Sequence, residues 1–331
     1  MGNELVIGFS DQMKKKILIT GVTGFVGKNL LHYFRDTIHY EITGVSRKKS
    51  KLKGLNSLLD YGISYKDLFN QNKSYDCVIH LAGQVIKISE NQSSDKLYRE
   101  ANFELTKKIY KHFLNNDDSK KFIFLSSIHV LTEVPDCVID EDYVPEPFTP
   151  YGRSKFEAEQ YIESTNHTGK NIYILRPTMI HGPGNKGNLK SLYDYLNSGL
   201  PYLFGAANNK RSFLSIENLC FVIKEIIDND IESGLYHIAD DEPTETLELI
   251  DKISAISGKK TRKYNIPLSI LRVFAILGNY LPIPFDIHRY GKLTTDFVVK
   301  NDKIKQAIGK PLPITAEEGM TRTIKSFINN Q

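Results

Sequence analysis

An α/β protein, with a doubly wound parallel sheet followed by a smaller C-terminal α+β lobe, is the fold this chain of 331 residues predicts. Three observations carry that reading. Short β-rich apolar runs alternate with amphipathic helical stripes through the first half, the pattern that builds a parallel sheet. A glycine-punctuated turn, TGVTGFVG, closes the first of those runs and opens a helix. Beyond Pro177 the alternation loosens into Gly- and Pro-rich loops and less regular helices.

The elements follow in order. Lys16 to Thr20 is a β-rich run ending at Gly21, and Val26, Leu30, Leu31 and Phe34 then recur at helical spacing. Glu41 to Val45 and Cys77 to Leu81 read as buried strands. Leu97, Ala101, Leu105 and Ile109 form a helical stripe, and Lys121 to Ser126 is the next strand. A proline-bearing loop from Pro135 to Pro150 precedes a helix over Tyr151 to Ser164, and Asn171 to Arg176 is a strand stopped by Pro177. Residues 14–177 thus predict a Rossmann-type dinucleotide-binding domain, preceded by a short extension over 1–13. Residues 178–331 form mainly a substrate lobe, with helices near Leu189 to Asn197, Glu217 to Ile227, Thr246 to Ile256 and Thr315 to Phe327. A stretch of about 211–240 returns to the first domain. The apolar run Ile266 to Phe285 contains Pro267, Arg272, Asn279, Pro282 and Pro284. It cannot cross a bilayer as one uninterrupted apolar helix and reads as a packed or surface-lying one.

Composition narrows the function classes. With 40% hydrophobic and 25% charged residues the chain belongs with ordinary soluble globular proteins rather than disordered ones. A net charge of +4, spread thinly, gives no basic stripe of the kind nucleic acid requires. Cys77, Cys137 and Cys220 are odd in number, widely spaced and without a CxxC pair, which points to a reducing cytoplasm and no structural zinc. The N-terminus lacks the basic start and apolar core of a secretory signal.

Gly21, Gly24 and Gly27 lie where a backbone must approach a pyrophosphate without a Cβ in the way, and the helix N-terminus then faces the anion. Thr23, Phe25 and Val26 complete that turn. The residue ending the second strand selects the cofactor, because a carboxylate there accepts from ribose hydroxyls while a cation accommodates a 2′-phosphate. Here the strand ends Val45-Ser46-Arg47. NADPH is therefore favoured over NADH, with NAD as the alternative; a merely solvated basic loop is the competing reading of Arg47.

Tyr151 and Lys155, in YGRSK, stand four residues apart at a helix start and so share one face. An ammonium beside a phenol favours the phenolate, so the pair predicts a tyrosine whose pKa falls toward the working range of an acid/base. Ser126-Ser127 ends a strand at the carboxyl edge of the sheet, where a doubly wound fold places its ligand, and Ser127 is positioned to hydrogen-bond a reacting oxygen. Taken singly, an exposed helical pair and two strand-capping serines explain the same residues.

Together these features resemble the extended short-chain dehydrogenase/reductases, the NAD-dependent epimerase/dehydratase group. The resemblance runs from Lys16 through TGVTGFVG, HLAG at His80, Asn102, SSIHV at Ser126, YGRSK, LRP at Leu175, HGPG at His181 and RSFLSIENL at Arg211. It implies Tyr151 as acid/base, Lys155 as its electrostatic partner and ribose ligand, and Ser127 as hydrogen bonder to the sugar. It also implies Asp67 and Leu68 beside the adenine, and Leu81, Ala82 and Gly83 along the cofactor bridge, with Asn102 and Pro177 completing the cofactor set. Asn188, Leu189 and Arg211 match the residues that hold the substrate diphosphate, and a guanidinium suits that task by binding phosphate oxygens bidentately. His129 shapes the sugar pocket. His181 and Leu131-Thr132 depart from the family pattern and are expected to alter that pocket. A homodimer through a four-helix bundle, drawn from the Leu97 to Ile109 stripe and the Tyr151 helix, is a further expectation.

The reaction narrows by elimination within that resemblance. Dehydratases of the group carry an Asp-Glu pair where this chain has Ile128 and His129, and Ile128 cannot donate a proton to a leaving hydroxyl. Fucose-synthase-like enzymes carry Cys and His where this chain has His129 and Gly184. Two activities survive on a UDP-linked sugar: reduction of a 4-keto group, favoured by Arg47 and by GPGNKGN and NKRSFLSIENL stretches like those of surface-polysaccharide 4-reductases, and 4-epimerisation. From a different class, some relatives of this kind are non-catalytic nucleotide sensors or scaffolds, but those lose the glycine turn or the Tyr–Lys pair, and both are intact here.

Overall fold

The structure is a computed structural model that describes residues 14–84, 92–165, 167–280 and 285–329. The extension expected over 1–13 lies outside the described residues. The first half runs β1 (Lys15–Thr20), α1 (Phe25–Phe34), β2 (Tyr40–Ser46), β3 (Tyr61–Ser64), α2 (Tyr65–Phe69), β4 (Cys77–His80), α3 (Gln92–Tyr98), α4 (Leu105–Leu114), β5 (Lys121–Leu125), α5 (Pro150–Ser164) and β6 (Asn171–Pro177). The second half runs β7 (Met179–His181), α6 (Asn188–Asn197), β8 (Lys210–Arg211), β9 (Phe213–Ser215), α7 (Ile216–Asp228), β10 (Gly234–Ile238) and β11 (Thr244–Glu245). It ends with α8 (Thr246–Ser257), α9 (Leu268–Gly278), α10 (Ile287–Thr294), α11 (Asp302–Ile308) and α12 (Ala316–Asn329).

Seven parallel strands form one sheet in the order β10-β6-β5-β4-β1-β2-β3. The winding direction reverses between β1 and β4, and a doubly wound sheet opens its ligand crevice at the carboxyl ends of those strands. The seventh strand, β10, comes from beyond Pro177, so part of the second half completes the first domain's sheet.

Period-two alternation assigns each strand residue to a layer. In β1, Ile17 and Ile19 face a core closed by Leu30, Phe34, Leu219 and Ile223 of α1 and α7. Leu18 faces the opposite core, with Tyr110, Phe113, Phe122, Phe124 and Ile162. Both faces are covered, which is why these strands read as continuous apolar runs. A third core, centred on Tyr193, Ile250, Ile253, Met320 and Ile324, joins α6, α8 and α12 in the C-terminal lobe. Burying each such side chain contributes about 1.5–3 kcal/mol.

Two local devices fix α5 over the crevice. Its N-terminus is set by Thr149, whose hydroxyl accepts from the Gly152 N–H at 3.1 Å, with Pro150 in the first turn. Its body is tied to β6 by Arg176, which donates to both Glu159 carboxylate oxygens at 2.7–3.2 Å with both side chains almost fully buried. The arginine of the LRP motif is therefore a bracing residue.

Candidate active site

The carboxyl ends of β1, β4 and β5 open onto two connected cavities that share Gly21, Gly24, Leu81 and Gly83. The outer one, about 810 Å³, is bordered by Thr23, Ser46, Arg47 and Ala82; the inner one, about 880 Å³, by Ser127, His129, Tyr151, Lys155 and Pro177. A smaller hollow of about 160 Å³ continues from the inner cavity through His129 and Asn188 to Arg211.

The glycine turn has the shape that an anionic ligand needs. Gly21 sits at φ +75°, and a Cβ there would come within 2.7 Å of the Ala82 nitrogen, so side chains are excluded by both conformation and space. Gly24 caps α1 without any side-chain hydrogen bond. The N–H groups of the first turn, Phe25 to Gly27, have no intrahelical partner and line the inner cavity. An electropositive helix start beside close-approaching backbone fits a dinucleotide diphosphate.

Beneath the crevice a polar relay joins β1, β4 and the helix over 92–114. The Thr106 hydroxyl donates to the Asn102 carbonyl and contacts His80 Nε2 at 2.9 Å; His80 Nδ1 contacts the Thr20 hydroxyl at 2.6 Å, and that hydroxyl accepts from the Ala82 N–H at 3.3 Å. The sequence of donors assigns His80 as the neutral Nε2–H tautomer. Burial agrees, pushing its pKa down to about 3. The histidine of HLAG thus sets backbone geometry. Asn102 projects from a π-helical turn over Arg99–Glu104, a distortion frequent at functional sites. It accepts from the Gln84 N–H at 2.7 Å and donates to the Ser154 hydroxyl at 3.0 Å. Asn102 is fully buried and braces the cavity wall from behind, with no lining contact of its own.

Tyr151 projects into the inner cavity with its ring edge toward Tyr98, 6.2 Å away between centroids. Lys155, one turn later and 3% exposed, donates to the Leu125 carbonyl at 2.8 Å. The expected acidified phenol is not what this geometry gives. Burial pushes the Tyr151 pKa up to about 12; a hydrogen bond with Ser127 opposes the rise and Tyr98 adds to it. Lys155 is itself driven down to about 8 by burial, with Glu159 opposing. The amine is engaged with main chain, and burial dominates the protonation of the phenol.

Other expected residues divide by location. Asp67 and Leu68 do not border the outer cavity. Asp67 is locked in a capping box with Ser64, accepting from its N–H at 3.0 Å and its hydroxyl at 2.8 Å, and Leu68 is buried in the core. Tyr65, at the start of the same short helix, takes the place expected of them. Leu189 packs into the third core, while its neighbour Asn188 lines the pocket. His181 does not alter the sugar pocket: it is fully buried and its Nδ1 meets the Thr323 hydroxyl at 2.9 Å. Leu131 is likewise core.

One group was absent from the sequence reading. Glu133, four residues after His129 in the loop that follows, lines the inner cavity and the smaller hollow, pairs with the Lys292 ammonium and meets His288 Nε2 at 2.6 Å. Those partners hold its carboxyl below the ordinary range despite burial. The Arg211 guanidinium donates to the Lys292 carbonyl, so α10 carries part of the pocket wall. Residues separated by more than 150 positions meet here, which no local spacing announces. Among the described residues no cluster of His, Cys, Asp or Glu could hold a metal ion.

Against known proteins, residues 17–239 match the family described as "NAD dependent epimerase/dehydratase family". The chain belongs to that family. Among the epimerase/dehydratase proteins it resembles, a UDP-glucose 4-epimerase of Vibrio cholerae is 28% identical, with 96% of this chain and 97% of the relative covered. The fold is shared with a UDP-glucuronic acid 4-epimerase of Bacillus cereus solved with UDP-glucuronic acid and NAD. Its TM-score is 0.75, with 20% identity over 96% of this chain and 100% of that one. It is also shared with a human epimerase family protein solved with NADPH, with TM-score 0.74 and 17% identity over 96% and 100% of the two chains. One of these structural neighbours was thus solved with NAD and the other with NADPH.

Proposed function

We propose that this epimerase/dehydratase-family enzyme interconverts the C4 stereochemistry of a UDP-linked hexose, as a 4-epimerase. The observation that carries the reading is the convergence of Tyr151, Ser127 and Lys155 on the inner cavity, which the glycine turn also lines. The relatedness to 4-epimerases supports the choice of reaction.

The fit described above assigns the dinucleotide to Gly21–Gly27, Ser46, Arg47, Ala82, Gly83, Lys155 and Pro177; when bound, it supplies the acceptor and donor of hydride at C4. This chain's residues do the rest. Tyr151 takes the proton from the 4-hydroxyl and returns it, with Ser127 orienting the phenol through their hydrogen bond. Lys155, whose ammonium carries two N–H groups beyond the one given to Leu125, binds the ribose side and stabilises the phenolate. Arg211 and Asn188 hold the diphosphate, and His129 borders the sugar. The inner cavity, about 880 Å³, takes both the nicotinamide end of the dinucleotide and the sugar, since Gly24–Gly27 and Pro177 line it together with Ser127, His129 and Asn188.

Reduction of a 4-keto sugar by NADPH is the second reading. Two observations favour it: Arg47 and Lys51 line the adenosine end, although Glu100 and Glu104 lie there too, and a phenol with pKa of about 12 is a proton donor in its resting state. Identifying the nucleotide released from purified protein separates the readings. Retained NAD⁺ and conversion of UDP-glucose to its 4-epimer without added cofactor support epimerisation. Stoichiometric NADPH loss with a UDP-4-keto sugar, and no epimer, supports reduction.

A further inference from the structure

Helix α9 carries its apolar side chains on the wrong face for a protein core. Leu271 and Ala275, four residues apart, are buried where the helix packs on α10. Ile270, Val273, Phe274 and Leu277 recur at the i, i+3, i+4, i+7 spacing of a single stripe, yet each is 46–56% exposed. Tyr280, 84% exposed, continues the stripe at the helix end. Nothing in the catalytic account uses these residues, and an apolar face of this kind is what soluble surfaces avoid unless something covers it.

The charge around the stripe says what covers it. Between residues 259 and 295 there are seven Lys or Arg residues and one acid, Asp286; Lys292 is turned to Glu133 in the pocket wall and Arg289 meets Asp286, which leaves Lys259, Lys260, Arg262, Lys263 and Arg272 about the stripe. Lys259, Lys260, Arg262 and Lys263 form an exposed cluster just before the helix, and Arg272 stands exposed within it. Lys263 pairs with Asp251 and Lys259 reaches the Asn197 carbonyl, while the cluster as a whole stays cationic. An apolar stripe rimmed by cations matches an anionic lipid surface: the side chains enter the acyl boundary and the cations meet headgroups. A second copy of this chain fits worse, because a two-fold contact would bring the two basic rims together.

The helix is held firmly for that role. Phe285 meets Phe204 edge-on with centroids 5.6 Å apart, and the Tyr264 N–H donates to the Tyr202 carbonyl at 2.8 Å, anchoring the segments on either side. We propose that α9 and its basic rim dock this enzyme on an anionic bilayer surface, peripherally. Among the described residues no helix is long and apolar enough to cross a membrane, so the contact is interfacial. Through α10, which supplies Lys292 and His288 to the Glu133 cluster, the docked face lies one helix from the substrate pocket.

The test is co-sedimentation of the full-length protein with vesicles of phosphatidylglycerol and phosphatidylethanolamine, compared with pure phosphatidylcholine and across salt concentrations. The wild type should partition onto the anionic vesicles about tenfold more than onto neutral ones, with the preference fading as salt rises. Val273→Asp/Phe274→Asp should abolish vesicle binding and leave turnover and circular dichroism unchanged. Lys260→Glu/Arg262→Glu should remove the preference for anionic lipid. Equal sedimentation of wild type and the Val273→Asp/Phe274→Asp variant would overturn the proposal. So would a wild-type dimer that this variant splits into monomers while vesicles bind neither form.

Discussion

Lys155 reaches across from α5 to donate to the Leu125 carbonyl at the end of β5, at 2.8 Å. That contact joins the Thr149 cap and the Arg176–Glu159 pair in fixing α5 over the crevice. It pins the helix to the strand end two residues before Ser127, and so holds Tyr151, one turn earlier, within hydrogen-bonding reach of the Ser127 hydroxyl.

The first prediction concerns the phenol. Tyr151→Phe removes the proton carrier and keeps the ring that packs against Tyr98. Turnover should fall by about 10²–10⁴-fold. Dinucleotide affinity, measured calorimetrically, should stay within a factor of about two, given that the ring contact survives. Comparable turnover in the variant would remove Tyr151 from the chemistry.

The Lys155 amine yields a pH signature with two opposite signs. Its folded pKa of about 8 lies below the ordinary lysine value of 10.5. Below about pH 8 both the native and the unfolded chain hold the proton, and the native chain bears the burial cost. Between about 8 and 10.5 the native amine is neutral while the unfolded one is charged, so native stability rises with pH across that window. Dinucleotide affinity should fall over the same range, because the cation facing the ligand is lost. Urea melts and binding titrations at pH 7 to 10, each compared with Lys155→Met, check both; parallel curves for the two proteins would rule out the assignment.

Cofactor choice rests on Arg47. Arg47→Asp should weaken NADPH relative to NADH by about 10–100-fold, the worth of a charged hydrogen bond to phosphate. An unchanged ratio would return Arg47 to the solvated surface.

The buried Arg176–Glu159 pair makes a stability prediction. Arg176→Met strands a carboxylate that is fully buried, which should cost about 3–5 kcal/mol of unfolding free energy in urea. The double variant Arg176→Met/Glu159→Leu should recover most of that loss. A single-variant loss under about 1 kcal/mol would show that water or another cation reaches Glu159.

The fold was legible because its signals are local. Short continuous apolar runs and 3.6-residue patterns place β1, α1, β4, β5, α5 and β6 within a residue or two, since strands covered on both faces must be continuously apolar. The seventh strand, β10, was indicated only as a returning stretch, because its pairing with β6 is a long-range event. In the site, Tyr151 and Lys155 were read from their spacing and Ser127 from its place at a strand's carboxyl end, and all three line the inner cavity. The outer cavity is lined by Tyr65, two and three residues before Asp67 and Leu68, because a five-residue helix turns Tyr65 toward the cavity and commits Asp67 to its own cap. The direction of the tyrosine shift was missed for a physical reason: spacing shows that an amine is near, but not that burial outweighs it. Glu133 with Lys292 and His288 had no signal short of the tertiary structure.

The most direct test follows deuterium placed at C4 of UDP-glucose through turnover in ordinary water. If hydride leaves C4 and returns to it within the pocket while Tyr151 handles only the hydroxyl proton, the 4-epimer should carry the deuterium at C4 in full. Washout of that label into solvent would contradict hydride transfer at C4 and, with it, the assignment of this site.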